Sequence, residues 1–215
     1  GWLDLAWAHQ PGEQGESGRA EVWLNNGDET FSVARLPPAA RDSWTFVVPL
    51  DFNLDGYTDL LYSRPTSTFA ELLLLQGDGS TDDGDDLFVD ASDALPLLTG
   101  TTTGTIYSRV AVSDVNGDSW PDIFVPIFSR LWSGADTPNI LLLGDGVGFT
   151  QATQWLPTAA DGYAIGAAFG DIDGDTDVDL FVGRASDSPL LLLNQGDGFT
   201  DVSDWLPESI VQPSD

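Results

Sequence analysis

Three short segments of the sequence carry aspartates at a spacing that suits a divalent cation. Each segment is nine residues long, over residues 51–59, 114–122 and 171–179. Calcium takes about six to eight oxygen ligands from a flexible loop. Side chains at positions 1, 3 and 5 of such a loop converge on one point, position 7 offers its backbone carbonyl, and an acid at position 9 completes the shell. Side-chain ligands are predicted at Asp51, Asn53, Asp55, Asp59, Asp114, Asn116, Asp118, Asp122, Asp171, Asp173, Asp175 and Asp179, and carbonyl ligands at Tyr57, Trp120 and Asp177.

Position 6 of the segments is where the backbone must turn sharply. Gly56 meets that need in the first segment, but Ser119 and Thr176 stand there in the second and third. Because Gly117 and Gly174 precede the third ligand, we expect these two loops to turn differently. Aspartates also form turns without a metal, but carboxylates crowded within a few ångströms repel one another. Three copies in register therefore favour about three bound calcium ions.

The segments do not match an EF-hand, which needs a bidentate Glu at position 12 and a helix on each side. Position 12 is Tyr62, Val125 or Val182, each inside an apolar, strand-like run. The calcium loops are therefore predicted to lie between strands.

Apolar runs surround each segment in the same order. One run leads into the segment, a second follows it directly, and a third and fourth are separated by a Gly-Asp or Asp-Gly turn, which is typical of β-hairpins. Four strands in every ~40–60 residues predict an all-β fold of four-stranded antiparallel propeller blades. Residues 1–5 match 56–60 and indicate the tail of a fourth copy. We predict three and a half to four blades in a single propeller region, over residues 1–37 (first strand missing), 38–97, 98–157 and 158–215.

The pattern resembles the FG-GAP/VCBS repeats of integrin α-subunit propellers and of many bacterial secreted proteins. The three Asp segments, residues 169–170 and residues 24–31 carry the resemblance. It implies calcium in the hairpin between the first and second strands of each blade, and a secreted or cell-surface location. Propellers of this family usually have seven blades. We therefore expect the chain to be part of a larger propeller, completed by the remainder of the protein or by another copy.

Composition narrows the partners and argues against an enzyme. The net charge is −28, from 29 Asp and 6 Glu against 7 Arg. Such a chain is a poor partner for nucleic acid or anionic membranes, although adaptation to high salt would also give an acidic surface. No apolar run reaches the ~20 residues of a membrane-spanning helix, so no membrane insertion is expected. With no Cys and only His9, nucleophilic triads lack most of their parts. The absence of Met predicts that the chain does not begin where its gene begins.

Three functions fit these observations. The leading hypothesis is a non-catalytic, extracellular interaction or adhesion module, with a protein or glycan partner, in which calcium is mainly structural. A lectin-like module would bind glycans through the loops at 63–70 and 129–138, with Trp132 as a stacking platform. A third hypothesis is a non-catalytic propeller domain of a larger secreted hydrolase or lyase. Trp2, Trp7 and Trp23 lie in strand register and are predicted to be core residues.

Overall fold

The protein is all-β, as the sequence predicts. The computed structural model describes residues 3–8, 20–42, 44–65, 70–79, 87–98, 109–127, 138–158, 164–185 and 188–207. Within these ranges the chain forms fifteen strands in four antiparallel sheets, with short 3-10 helices and no α-helix. None of the helices in the described ranges has the length and apolarity needed to cross a membrane.

Each sheet is a meander in which consecutive strands pair. Sheet 1 has three strands, β1 (Leu5–Ala8), β2 (Ala20–Asn25) and β3 (Phe31–Val33). Sheet 2 contains β4 (Phe46–Leu50), β5 (Asp59–Pro65), β6 (Ala70–Gly77) and β7 (Phe88–Asp90). Sheet 3 contains β8 (Ala111–Ser113), β9 (Asp122–Val125), β10 (Ile140–Gly144) and β11 (Phe149–Gln151). Sheet 4 contains β12 (Ala164–Gly170), β13 (Asp179–Arg184), β14 (Leu190–Asn194) and β15 (Phe199–Asp201).

Short 3-10 helices follow the last strand of each sheet. They span Pro38–Arg41, Ser92–Ala94, Thr153–Trp155 and Ser203–Trp205. In sheets 2, 3 and 4 the residue before this helix donates its N–H to the third strand, and in sheets 2 and 4 a serine also accepts an N–H from that strand; Ser203 Oγ, for example, accepts the N–H of Leu191 at 3.0 Å. The turn therefore stays attached to the third strand of its own sheet.

Continuous apolar runs explain how the sheets stack. Because side chains alternate between the two faces of a strand, the run in β5 points Leu60 toward sheet 1 and Leu61 toward sheet 3, and both are buried. The run in β9 does the same with Ile123 and Phe124, toward sheets 2 and 4. Three apolar cores result, between sheets 1 and 2, 2 and 3, and 3 and 4. The architecture is that of about four consecutive propeller blades.

The prediction that three tryptophans near the start of the chain are core residues is wrong for Trp7, which is exposed, while Trp23 is half-buried and Trp2 lies outside the described residues. The rings of Trp7 and Trp23 lie 5.5 Å apart on the face of sheet 1 that points away from sheet 2, and both indole N–H groups donate to Oε2 of Glu21. Trp7 and Trp23 lie on the same face of sheet 1, but no described sheet covers that face.

Candidate metal centres

All three Asp segments form the connection between the first and second strands of a four-stranded sheet. Hairpin 1 (residues 51–59) joins β4 to β5, hairpin 2 (114–122) joins β8 to β9, and hairpin 3 (171–179) joins β12 to β13. The strands on either side pair up to the hairpin itself, with Leu50 opposite Asp59 and Gly170 opposite Asp179. Each hairpin is therefore held at both ends by a rigid ladder.

The three hairpins turn in one way, contrary to the expectation for the second and third. The backbone is left-handed at position 6 in all of them, with φ of 88° at Gly56, 76° at Ser119 and 79° at Thr176. Position 4 is left-handed as well, including Leu54 with φ of 52°. Ser119 and Thr176 thus adopt a backbone conformation that favours glycine. The geometry of the loop overrides the preference of these side chains.

Position 1 organises the backbone of each loop. In hairpin 2, Asp114 Oδ1 accepts the N–H of Asp118 at 3.1 Å, and Oδ2 accepts the N–H of Ser119 at 2.8 Å. Hairpin 1 repeats both bonds from Asp51, and in hairpin 3 Asp171 accepts the N–H groups of Gly174 and Thr176. The carboxylate at position 1 is therefore turned toward the inside of the loop, where a cation would bind.

Positions 3, 5 and 7 close the loop by short-range bonds. In hairpin 2 the N–H of Asp118 also donates to Asn116 Oδ1, the Asn116 amide donates to Asp118 Oδ2, and the N–H of Trp120 donates to Asp118 Oδ1. Hairpin 1 has the same three bonds among its equivalents, and hairpin 3 has the two that donate from the backbone. These bonds link positions 3, 5 and 7 within each loop, but among the described residues the carboxylates of positions 1, 5 and 9 do not gather within 4.8 Å of one another in any of the three hairpins.

Position 9 is buried and has a second role that the sequence did not indicate. Asp59, Asp122 and Asp179 are at most 1% exposed. In hairpin 2 the N–H of Val115 donates to Asp122 Oδ2 at 2.7 Å, and the N–H of Gly144, at the end of the third strand, donates to Oδ1 at 2.9 Å. Asp59 and Asp179 make the corresponding pairs of bonds. We call this aspartate the clamp, since it ties its hairpin to the neighbouring strand.

The same clamp bond occurs in sheet 1. Asp4 matches position 9, and its Oδ1 accepts the N–H of Asn25 at 2.8 Å. The bond across the sheet is therefore a feature of the repeat itself. A carboxylate has about four lone-pair sites, so a clamp that accepts two N–H bonds keeps lone pairs for a cation.

Hairpin 3 brings three carboxylates together. One carboxylate oxygen from each of Asp171, Asp173 and Asp179 lies within 4.8 Å of the other two. Within the described ranges no other three acidic or histidine side chains come as close together. Partial desolvation raises the pKa of Asp173, and the charges of Asp175 and Asp179 raise it further. An all-oxygen, acidic cluster of this kind fits a hard cation such as calcium.

Hairpins 1 and 2 carry Asn instead of Asp at position 3, and burial dominates their electrostatics. Burial raises the pKa of the Asp122 carboxyl to about 6, and the charges of Asp118 and Asp114 add to the shift, against the lowering effect of its two N–H bonds. Burial also raises the pKa of Asp59. By contrast, the N–H of Tyr57 lowers the pKa of Asp55. Burial thus disfavours the charged forms of Asp59 and Asp122, whereas hydrogen bonding favours the charged form of Asp55.

Two aromatic side chains at position 7 pack on glycines of the next turn. A Cβ atom added to Gly146 would lie 2.4 Å from the Trp120 ring, and one added to Gly79 would lie 2.0 Å from the Tyr57 ring. Both glycines are left-handed. Trp120 and Tyr57 were predicted only for their carbonyl groups, whereas their rings also join the hairpin to the turn after the third strand.

Comparison with known families agrees with this arrangement. Residues 1–62, which contain sheet 1 and hairpin 1, match a family model described as an FG-GAP-like repeat. The chain carries an FG-GAP-like repeat. Hairpins 2 and 3, outside the matched residues, have the same clamp bonds and the same turn geometry as hairpin 1. No match to a curated protein was found.

Most of the predicted glycan site lies outside the described residues. The structure does not describe residues 66–69 and 128–137, and Trp132 is one of them. His9 also lies outside the described residues. Trp44, a further loop tryptophan, is 2% exposed and belongs to the core between sheets 1 and 2, so its ring is not available to a sugar.

Proposed function

We propose that this chain is a calcium-stabilised β-propeller module of a secreted or cell-surface protein, which acts by binding partners and not by catalysis. Hairpin 3 carries the proposal, because Asp171, Asp173 and Asp179 gather three carboxylate oxygens at one point. Asp175 and the carbonyl of Asp177 would complete a shell of hard oxygen ligands. Hairpins 1 and 2 would bind with one carboxylate fewer, since Asn53 and Asn116 replace the aspartate at position 3.

Calcium would act mainly on stability. A bound ion offsets the repulsion among carboxylates that the fold forces together, and three ions would reduce the net charge from −28 to −28 + 6 = −22. An ion that binds only the folded hairpin stabilises the fold by mass action, by about 2.7 kcal/mol at 100 times its Kd. For a chain of this size that corresponds to a rise of roughly 5–10 °C in Tm.

Thermal unfolding tests the proposal. The thermal unfolding of the full chain is measured in chelator and in millimolar calcium. The Tm is expected to be roughly 5–10 °C higher in calcium. Asp171→Asn should reduce the rise, because it removes a ligand of hairpin 3. Asp93→Asn is the matched control, since Asp93 is exposed and lies outside the hairpins. A Tm that calcium does not change would refute a structural role for the ion.

A further inference from the structure

A cleft lies between sheets 3 and 4, where the short helix Thr153–Trp155 meets the turn between β14 and β15. The two elements come close together, since a Cβ atom added to Gly198 would lie 3.4 Å from the carbonyl oxygen of Trp155. Both walls are formed by described residues, so the cleft is not an outer face of the stack. Its volume is about 290 Å³. The lining includes Gln154 and Trp155 after sheet 3, and Asp197, Phe199 and Thr200 of sheet 4.

The lining combines a fixed aromatic wall with polar side chains at its rim. Phe199 is buried in the core between sheets 3 and 4, and Trp155 is half-buried and packs against that core. Gln154, Asp197 and Thr200 are exposed. Among the described residues, neither these three side chains nor the indole N–H of Trp155 has a hydrogen-bond partner. The cleft therefore offers donors and acceptors that the described fold does not use.

The corresponding place between sheets 2 and 3 is built from other residues. Gly148, the equivalent glycine, lies against the carbonyl of Ala94, so alanine stands where the cleft has Trp155. Val147 precedes that glycine, as Asp197 precedes its counterpart in sheet 4. Two sheets therefore pack at this place without an indole ring or a carboxylate. The repeat alone does not require Trp155 together with Asp197.

The size and chemistry of the cleft select a small, hydroxylated and uncharged ligand. Binding pockets for drug-sized molecules have about 300–1,000 Å³, so a cleft of about 290 Å³ suits a single ring. An aromatic side chain packs against the apolar C–H face of a sugar ring, and carboxylate and amide groups pair with its hydroxyl groups. The carboxylate of Asp197, in a chain of net charge −28, disfavours an anionic sugar. A neutral hexose meets all of these conditions.

We propose that this cleft binds a single neutral hexose, the terminal residue of a glycan. The ring of Trp155 would pack against the sugar, Asp197 would accept hydrogen bonds from its hydroxyl groups, and the amide of Gln154 would donate to them. The inference rests on the proposed function, because it names the class of partner that the module binds. No described residue of the cleft is a predicted calcium ligand, so sugar binding and calcium binding can be measured separately.

Saturation-transfer NMR of the full chain in millimolar calcium tests the proposal with the methyl glycosides of glucose, galactose and mannose. The wild type should give a signal with at least one of them, with a Kd in the millimolar range that is expected of so small a ligand. The methyl glycoside of glucuronic acid, an anionic sugar of similar size, should give none. Equal signals from the neutral and the anionic sugars would overturn the proposal, as would the absence of a signal from every neutral one.

Asp197→Ala removes the charged acceptor without disturbing any hydrogen bond among the described residues. The affinity for the sugar should fall at least about tenfold, a loss of about 1.4 kcal/mol. Asp93→Ala is the matched control, since Asp93 is an exposed aspartate in the corresponding helix of sheet 2, and it should bind the sugar like the wild type. An Asp197→Ala protein that binds as tightly as the wild type overturns the proposal.

Trp155→Leu tests the aromatic wall. Leucine keeps an apolar side chain against the core but removes the ring, so the signal should be lost while circular dichroism shows a folded protein. If this variant does not fold, Asp197→Ala alone decides the matter.

A cationic peptide is the other ligand that an acidic cleft could hold. Binding of an arginine-rich peptide that Asp197→Ala abolishes, in a protein that binds no neutral sugar, would overturn the proposal. Calorimetry with calcium on the same samples separates this inference from the proposed function, because calcium binding without a sugar signal refutes the sugar site alone.

Discussion

The backbone N–H of Gly144 donates to Asp122 Oδ1 at 2.9 Å, across 22 residues of chain. The other oxygen of the same carboxyl accepts the N–H of Val115. Asp122 was predicted as a metal ligand, and the structure shows that it also joins hairpin 2 to the end of β10. The fold therefore depends on this side chain whether or not an ion is present.

Asp122→Asn should destabilise the protein in chelator at pH 7, because the ionised carboxylate accepts two N–H groups and Asn offers only one acceptor. One buried N–H is left facing the amide, at a cost of about 1–3 kcal/mol. Urea unfolding measures the change. Asp93→Asn is the control, since Asp93 is exposed and lies outside the hairpins, and it should change the free energy of unfolding by less than about 0.5 kcal/mol. Equal effects of the two variants would contradict the clamp.

The free energy of unfolding should depend on pH through the same carboxyl. Burial raises the pKa of folded Asp122 to about 6 from an ordinary value of 3.8. Between these values the folded protein holds a proton that the unfolded chain has released, so this contribution is full below about pH 4 and is lost as the pH rises through 6. In chelator, the stability difference between wild type and Asp122→Asn should therefore shrink from pH 4 to pH 7. A difference that is constant or grows would count against the raised pKa.

Thr176→Gly should stabilise the protein. Thr176 has a left-handed φ of 79°, which costs a residue with a Cβ about 1–2 kcal/mol, against about 0.5–1 kcal/mol of chain entropy for glycine. A net gain of up to about 1 kcal/mol is expected in urea unfolding. The same change at Thr200, in strand β15, should be destabilising. A loss of stability in Thr176→Gly would show that its side chain contributes more than the backbone strain costs.

Local sequence was sufficient for the hairpins and the sheets. The segments from Asp51, Asp114 and Asp171 carry a nine-residue pattern in which each ligand position is close in sequence to the next, and the apolar runs after them fix strand and register. The hydrogen bond of the clamp could not be predicted from local sequence. Asp122 accepts the backbone N–H of Gly144, and a glycine has no side chain that would indicate this contact. The match of Asp4 to position 9 of the repeat was the one sequence feature that pointed to it.

Contacts between sheets were the other feature that the sequence could not predict. Trp7 and Leu60 both lie in apolar strand runs, and only the presence of a neighbouring sheet decides that Leu60 is buried and Trp7 is exposed. The backbone conformation at Thr176 could not be predicted from the conformational preference of threonine either. Its left-handed backbone is set by the N–H bond to Asp171 and by the strands at both ends of the hairpin.

Isothermal titration calorimetry with calcium tests the central claim most directly. The account predicts three ions bound per chain, one for each hairpin, with one site lost in Asp171→Asn and none lost in Asp93→Asn. Absence of binding heat at millimolar calcium, or a stoichiometry that Asp171→Asn leaves unchanged, would contradict it.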